Sequence, residues 1–327
     1  MSDIRGLNRR RFLAALGLAA ALPSWGQKKP ARIAWLSSST EADGRQFFEE
    51  LRRGLTELGY SEGRNMAFEK HWADDSRERL ERVAKELVAT QPSIVVAQGP
   101  TVPALRRAGA AFPIVFGFSG DPVEAGYVKS LARPGGNLTG MSFMSLELAG
   151  KRVELLKEFI PEAKRIAVVA NPQHPGDQSE RRVSQEAATK AGLDLRYYES
   201  RNASDLEAQL EAIAKSGADA VLMFPVASIM ARRARIAQWA VEKRIPTISG
   251  WAQFADGGNL MAYGPNLRAS FRRLAFFADR ILKGAQAADI PVELPSSVEL
   301  IVNLRAAAAL GRAVPKSLLL RADRVIE

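Results

Sequence analysis

Short apolar runs alternate along the chain with longer segments whose apolar residues recur every three or four positions. The runs at 33–36, 94–97 and 114–118 have the length and aliphatic composition of buried strands. The segments at 46–58 and 77–90 instead place their apolar side chains on one helical face. Strands that alternate with helices in this way predict an α/β fold with parallel sheets and right-handed crossovers.

Three segments of the first half are echoed, in the same order, in the second half. The pairs are ARIAWLSSS with KRIAVVANP, PSIVVAQGP with ADAVLMFPV, and FPIVFGFSGDP with IPTISGWAQFADGG. Helical patterns stand between the echoes in both halves, at 180–191 and 203–216 in the second. The echoes predict two lobes of the same architecture, each a mostly parallel sheet flanked by helices.

The loops that follow the predicted strands are the first candidates for a binding site. In open parallel sheets, ligands bind outside the carboxyl ends of the strands. Several of these loops also open a helix, whose free N–H groups attract anions. The loops lie at 37–40, 98–101, 118–121, 170–173, 224–228 and 250–254.

The composition narrows the chemistry that such a site can perform. Cysteine is absent, which excludes disulfides, thiolate catalysis and iron–sulfur clusters. The two histidines, His71 and His174, are too few for a His-rich metal site, and we expect both at the surface. No phosphate-loop, dinucleotide or nucleophile-elbow motif occurs. We therefore expect no cofactor, no metal and no catalytic residue.

The net charge of the chain is +10, but its lysines and arginines are interspersed with carboxylates. This pattern is typical of a solvated basic surface rather than of a nucleic-acid interface. A two-lobed DNA-binding repressor would also need a helix-turn-helix ahead of the first lobe. The residues ahead of the first lobe do not have the pattern of a helix-turn-helix.

Residues 1–26 have the features of an export signal. NRRRFL at 8–13 resembles the twin-arginine motif, an apolar run follows at 12–22, and Ser24 and Gly26 precede a candidate cleavage site. The apolar run is too short to cross a membrane as a mature helix. These features predict cleavage of the segment and a periplasmic location.

The glycine-rich stretch FPIVFGFSGDPVEAGYVKSLARPGGNLTGMS at 112–142 resembles ABC-transporter substrate-binding proteins of the tryptophan/tyrosine type, whose members carry a similar RPGGN.TG.S motif. The chain agrees further at NLMAYGPNLRASF and in its ending VPKSLLLRADRVIE. The resemblance implies a type 1 periplasmic-binding fold. Such a fold has two α/β lobes, three crossings between them, and a cleft that closes on a small ligand.

On this pattern, the first lobe comprises 30–139 and 266–290, and the second comprises 140–265 and 291–327. A helix at 266–284 returns the chain to the first lobe. The first crossing is expected at 137–142, after a turn that needs left-handed backbone. The expected hinge residues are Gly135, Gly136, Asn137, Thr139 and Gly140.

The candidate ligand-binding residues lie in the loops that would face the cleft. They are Ser37, Ser38, Gly99, Thr101, Phe118, Ser119 and Asp121 in the first lobe, and Ser142, Asn171, Trp251 and Tyr263 on or near the second. Hydroxyl and backbone N–H groups would hold a carboxylate, and rings would stack on an apolar moiety. Structural roles stay open for several: the aromatics as core packing, Asn171 as a turn residue, and Asp121 as a helix cap.

The implied function is capture of a small organic ligand and its delivery to a permease in the inner membrane, by a monomer that binds no nucleic acid. Relatives often carry a carboxylate after the strand equivalent to 221–224, where this chain reads FPVASIM. An α-amino group prefers a carboxylate partner. We expect an aromatic amino acid or a related aromatic or aliphatic carboxylate as the ligand. The missing carboxylate speaks against the amino acid and favours a simple carboxylate. Sensing for a membrane receptor, and catalysis on the same scaffold, stay open as alternatives.

Overall fold

A computed structural model describes residues 30–143 and 145–327. Its first sheet has five strands in the order β2-β1-β3-β4-β5, and every neighbouring pair is parallel. The strands are β1 (Ala31–Ser37), β2 (Met66–Trp72), β3 (Ile94–Gln98), β4 (Ile114–Phe118) and β5 (Leu138–Ser142).

The second sheet has seven strands in the order β12-β11-β10-β9-β8-β6-β7. Its pairings are parallel except that β10 and β11 run antiparallel. The strands are β6 (Arg165–Ala170), β7 (Asp194–Glu199), β8 (Ala220–Met223), β9 (Thr247–Ser249), β10 (Met261–Pro265), β11 (Val298–Asn303) and β12 (Arg324–Ile326).

Twelve α-helices occur in the described part of the chain, and none of them is both long and apolar enough to cross a membrane. Several begin at side chains that accept a first-turn N–H, among them Thr40, Ser76 and Asn266. The helices are α1 (Glu41–Glu57), α2 (Arg77–Thr90), α3 (Val102–Arg107), α4 (Ser145–Phe159), α5 (Asp177–Ala191), α6 (Ala203–Ser216), α7 (Ala227–Met230), α8 (Arg233–Lys243), α9 (Ala252–Asp256), α10 (Leu267–Leu282), α11 (Leu304–Ala309) and α12 (Lys316–Arg321).

The two sheets repeat one topology. The first five strands of each lobe along the chain are arranged in the same order. This order is β2-β1-β3-β4-β5 in the first sheet and β7-β6-β8-β9-β10 in the second. The three sequence echoes fall on equivalent strands: β1 with β6, β3 with β8, and β4 with β9. The predicted two-lobed α/β fold is confirmed, and each lobe consists of one sheet with the helices packed on it.

Helix α10 packs on the first sheet although it follows ten strands and nine helices of both lobes. Phe271, Leu274 and Ala278 of α10 join the core formed by Trp35 of β1 and Leu51 of α1. This apolar stripe holds α10 against the first sheet. The chain must therefore cross between the lobes before α10 and again after it.

The first crossing lies later in the chain than expected. Strand β5 pairs with β4 over its whole length, so the first sheet continues past the expected boundary at residue 139 to Ser142. Asn137 donates its side-chain N–H to the Ala110 and Phe112 carbonyls, which are also in the first lobe. The expected crossing at 137–142 is therefore wrong. The chain passes to the second lobe after β5, at Asn266 it returns, and it crosses again between Glu293 and β11.

Two glycines of this stretch shape the turn before β5 and the pairing of β5 in the first sheet, while their predicted hinge motion stays a prediction. Gly135 has a φ of +73° and makes the expected left-handed turn, whereas Gly136 does not need that conformation. Gly140 lies inside β5 with a φ of +145°, and a Cβ there would stand 2.0 Å from the Phe116 carbonyl oxygen. Thr139 donates its hydroxyl to the Ile290 carbonyl, 2.7 Å away, and is fully buried.

Candidate functional site

A cleft with two adjoining compartments separates the carboxyl ends of the two sheets. The inner compartment holds about 720 Å³ of empty space and the outer one about 1550 Å³, both including the part that opens to solvent. Residues of both lobes line each compartment. The two compartments share Ser38, Pro100, His174, Val226 and Ala227.

Aromatic rings from both lobes line the inner compartment. They are Phe47 of α1, Phe143 after β5, Trp251 before α9, and Phe271 of α10. Trp251 packs against the apolar cores of both lobes. Glutamines 46, 98 and 253 add amide groups to the same wall. The compartment thus offers flat apolar surfaces together with hydrogen-bonding groups, as small-molecule sites commonly do.

One ion pair joins the lobes inside the inner compartment. Arg233, at the start of α8, donates its Nη1 to Asp43 Oδ1 in the first turn of α1, 3.0 Å away. Thr40, the cap of α1, donates its hydroxyl to the other oxygen of Asp43 at 2.9 Å. The same Nη1 also donates to the Met230 carbonyl. Helix starts therefore place the charged groups of this compartment.

His174 forms a second contact between the lobes, and our expectation of a surface position for it is wrong. The residue is 8% exposed, and its Nδ1 accepts the Gly176 backbone N–H at 3.1 Å. That bond places the ring proton on Nε2, which donates to Ser119 Oγ of the first lobe, 3.1 Å away. Burial lowers the pKa of His174 to about 4, so the ring is neutral at pH 7. The other histidine, His71, is half-buried in β2.

The outer compartment is polar. Its wall combines residues of the first lobe, such as Asp75 and Arg77, with Asn171 and Arg232 of the second. Burial raises the pKa of Asp75, and the nearby carboxylate of Asp43 acts in the same direction. Within the described residues, no group of three or more His, Asp or Glu side chains could hold a metal ion.

Five of the predicted ligand-binding residues line the cleft. Ser38, Gly99, Ser119 and Trp251 line the inner compartment, and Ser38 and Asn171 line the outer one. Asn171 also accepts the Gln173 N–H through its side chain, so it shapes its own turn. The structure therefore brings these five together from both lobes, as the prediction requires, while their contact with a ligand stays a prediction.

Three predicted residues of the first lobe are buried beside the cleft rather than on its wall. Ser37 is fully buried and donates its hydroxyl to the Gln98 side chain at 2.7 Å. Thr101 is fully buried and donates to the Gln98 carbonyl at 2.6 Å. Phe118 packs against Tyr127 and the His174 ring. These three side chains pack beneath the residues that line the cleft.

The remaining three predicted residues form hydrogen bonds within the protein. Asp121 accepts the N–H groups of Val123 and Glu124, so it caps a turn. Ser142 donates its hydroxyl to the Gly120 carbonyl at 2.9 Å. Tyr263 offers its carbonyl to Arg152. None of the three is among the residues that line either compartment.

A buried ion pair supports the second lobe beneath the cleft. Arg152 of α4 and Glu180 of α5 are 3.1 Å apart and at most 1% exposed. The Arg152 guanidinium lies against Gly250, which directly precedes Trp251 of the inner wall. Burial raises the pKa of Glu180 to about 7, although the guanidinium opposes this shift.

Sequence reasoning missed several residues that line the inner compartment. Asp43, Gln46 and Phe47 lie in the first two turns of α1, and Arg233 begins α8. The available signal was the Thr40 cap followed by acidic residues, which marks a helix start at residue 41 rather than 46.

Comparison with known proteins agrees with this architecture. The family model described as "ABC transporter substrate binding protein" matches residues 40–326. A "Tyrosine-binding protein" of Clostridioides difficile is 26% identical over 254 residues, which cover 77% of this chain and 72% of the relative.

Two solved structures are also similar. A conserved domain protein from Vibrio cholerae is 27% identical with a TM-score of 0.86, and the match covers 91% of this chain and 100% of that one. A domain from Streptococcus pneumoniae, solved in complex with L-Trp, is 23% identical with a TM-score of 0.83, and the match covers 91% and 100%.

Proposed function

Because the chain belongs to the family of ABC transporter substrate-binding proteins, we propose that it captures an aromatic amino acid or a related aromatic or aliphatic carboxylate between its lobes. The observation that carries this proposal is the inner compartment. Its four aromatic rings come from both lobes, and an ion pair and amide groups stand on the same wall. A similar protein from Clostridioides difficile is described as binding tyrosine.

The proposed mechanism is closure of the lobes on the ligand without bond chemistry. A ligand that contacts both lobes favours the form in which they are together. The contacts of Ser119 with His174 and of Asp43 with Arg233 join the lobes across the cleft. Such contacts support a closed form of the protein, in which the ligand lies buried between the four aromatic rings.

We further propose that the protein acts in the periplasm as a monomer and delivers its ligand to an ABC permease in the inner membrane. Substrate-binding proteins of this family serve such transporters. The twin-arginine-type segment at 1–26, on which the location rests, lies outside the residues that the structure describes.

A thermal-shift screen of the mature protein against aromatic amino acids and their carboxylate analogues tests this function. We expect at least one ligand to raise the melting temperature by mass action, and to change the fluorescence of the wild type more than that of Trp251→Phe. Chromatography of the incubated ligand should recover it unchanged. Turnover of the ligand, or no response across the panel, would contradict the proposal.

A further inference from the structure

The first lobe supplies the carboxylate that lines the inner compartment. The loop after β8 reads FPVASIM and contains no acidic residue, so it offers no carboxylate to a ligand ammonium. Among the residues that line the inner compartment, Asp43 of the first lobe is the one carboxylate. It stands where the first turn of α1 reaches the cleft.

Asp43 is positioned to accept further hydrogen bonds. One of its oxygens accepts Arg233 Nη1 and the other accepts the Thr40 hydroxyl. Each carboxylate oxygen has about two lone-pair sites, so both oxygens retain acceptor capacity. The side chain keeps 29% of its surface exposed, which leaves a path for a ligand group. A ligand ammonium would meet a fixed negative charge there.

Arg233 offers the complementary group. Within the described residues, the hydrogen bonds of its side chain come from Nη1 alone, which donates to Asp43 and to the Met230 carbonyl. The Nε and Nη2 protons stay available, and the side chain is 32% exposed. The guanidinium fork matches the geometry of a carboxylate, so these protons suit a ligand carboxylate.

The charges of the compartment are balanced. Asp43 and Arg233 are its two charged residues, and His174 is held neutral by burial. A singly charged ligand would leave one of the two without a new partner, whereas a zwitterion presents one charge to each. The aromatic rings of Phe47, Phe143 and Phe271 line the same space for an apolar side chain.

We propose that Asp43 and Arg233 bind the ammonium and the carboxylate of an α-amino acid, and that the ligand is therefore an aromatic amino acid rather than a plain aromatic acid. This inference rests on the proposed function of ligand capture in the cleft. The loop after β8 lacks the carboxylate that relatives often carry there, which left the ligand class open. On this proposal, Asp43 of the first lobe provides that carboxylate.

Calorimetric titration with matched ligands tests the inference. L-tryptophan is compared with 3-indolepropionate, and L-tyrosine with 3-(4-hydroxyphenyl)propionate, which lack only the amino group. We expect the better amino acid to bind at least about 10-fold more tightly than its analogue, as a charged hydrogen bond contributes. Equal affinities for the two members of each pair would overturn the inference but leave ligand capture intact. No binding by any of the four would overturn both.

Asp43→Asn separates recognition of the ammonium from a role in closing the lobes. If Asp43 binds the ammonium, the variant loses about 10- to 100-fold in affinity for the amino acid and less than about 3-fold for the analogue. Loss of the contact with Arg233 alone would weaken both ligands equally, and that result would overturn the inference. Glu41→Gln is the control, because Glu41 lies in the same helical turn and pairs with exposed Arg45.

Discussion

His174 shows how one neutral side chain can join two lobes. Its Nδ1 accepts the Gly176 N–H and its Nε2 donates to Ser119, so protonation of Nδ1 would remove an acceptor and charge a buried ring. Burial lowers the pKa of the ring from its ordinary value of 6.5 to about 4 in this structure. We expect opening of the lobes to expose the ring and return its pKa toward 6.5. The contribution of His174 to closure should then be complete above pH 6.5 and be lost as the pH falls toward 4.

We expect the ligand affinity of the wild type to fall between pH 6.5 and 4 more steeply than that of His174→Gln. The difference should approach about tenfold per pH unit, because one pKa unit corresponds to a tenfold change in an equilibrium constant. Titration calorimetry at several pH values measures both profiles. The variant keeps an amide donor without titrating, so parallel profiles would contradict this role of the ring.

The ion pair of Arg152 and Glu180 has a different consequence, because both side chains are fully buried. Arg152→Met would leave Glu180 buried without its partner and should lower the free energy of unfolding by about 3–5 kcal/mol. The double variant Arg152→Met/Glu180→Met should be more stable than the single one, since it buries no charge. Urea unfolding gives all three values.

The control for this pair lies on the same helix. Arg182 pairs with Glu186 at the exposed surface of α5, so Arg182→Met should cost no more than about 1 kcal/mol. A double variant less stable than Arg152→Met alone would refute the account of the buried pair.

At the residue scale, the sequence located the cleft better than it located the side chains on its wall. The loops were predicted correctly because strand ends are visible in the apolar pattern. Ser37, Thr101 and Ser142 were expected at the ligand, but each donates its hydroxyl to a neighbour on the protein. In the sequence, a short polar side chain at the end of a strand looks the same whether it contacts a ligand or a neighbouring residue. Asp43 was missed because α1 begins five residues before its apolar stripe indicates.

At the element scale, the repeated fold was predictable because the buried central strands are strongly apolar. The edge strands β2 and β7 were not predicted, since MAFEKHW and DLRYYE mix charged residues with apolar ones. Both lie at the edge of their sheet and are only partly buried. A second feature of the repeat was also not predicted: in β5 and in β10, the fifth strand of each lobe, the backbone closely approaches another backbone segment.

Gly140 of β5 and Gly264 of β10 are the residues at this approach. A Cβ at Gly140 would stand 2.0 Å from the Phe116 carbonyl oxygen, and one at Gly264 would stand 1.6 Å from that of Gly250. The glycine at 140 was predicted as a hinge, and its motion stays untested. Its observed role is to let β5 lie against β4.

Gly140→Ala should lower the free energy of unfolding by at least about 2 kcal/mol, because it combines a positive φ with overlap against backbone that cannot move aside. Gly136→Ala is the matched control: it lies four residues earlier, has no positive φ, and a Cβ there meets nothing within 4 Å. Thermal unfolding compares the two. Equal melting temperatures would contradict the account of β5.

At the scale of the whole molecule, the two lobes contact each other at sites far apart in the sequence. Besides the contacts at the cleft wall, Ser179 of α5 donates its hydroxyl to Glu124 of the first lobe. Neither residue lines the cleft, so both report the approach of the lobes without touching the ligand. The chain has no cysteine, which permits a clean chemical probe at this position.

The most direct test of the central claim is the rate at which Glu124→Cys/Ser179→Cys forms a cross-link with and without ligand. Closure on the ligand predicts faster cross-linking in the presence of the aromatic amino acid that gives the largest thermal shift. The control pair Arg82→Cys/Glu86→Cys, one turn apart on α2, should react at the same rate in both conditions. Equal rates for Glu124→Cys/Ser179→Cys with and without saturating ligand would contradict capture by closure.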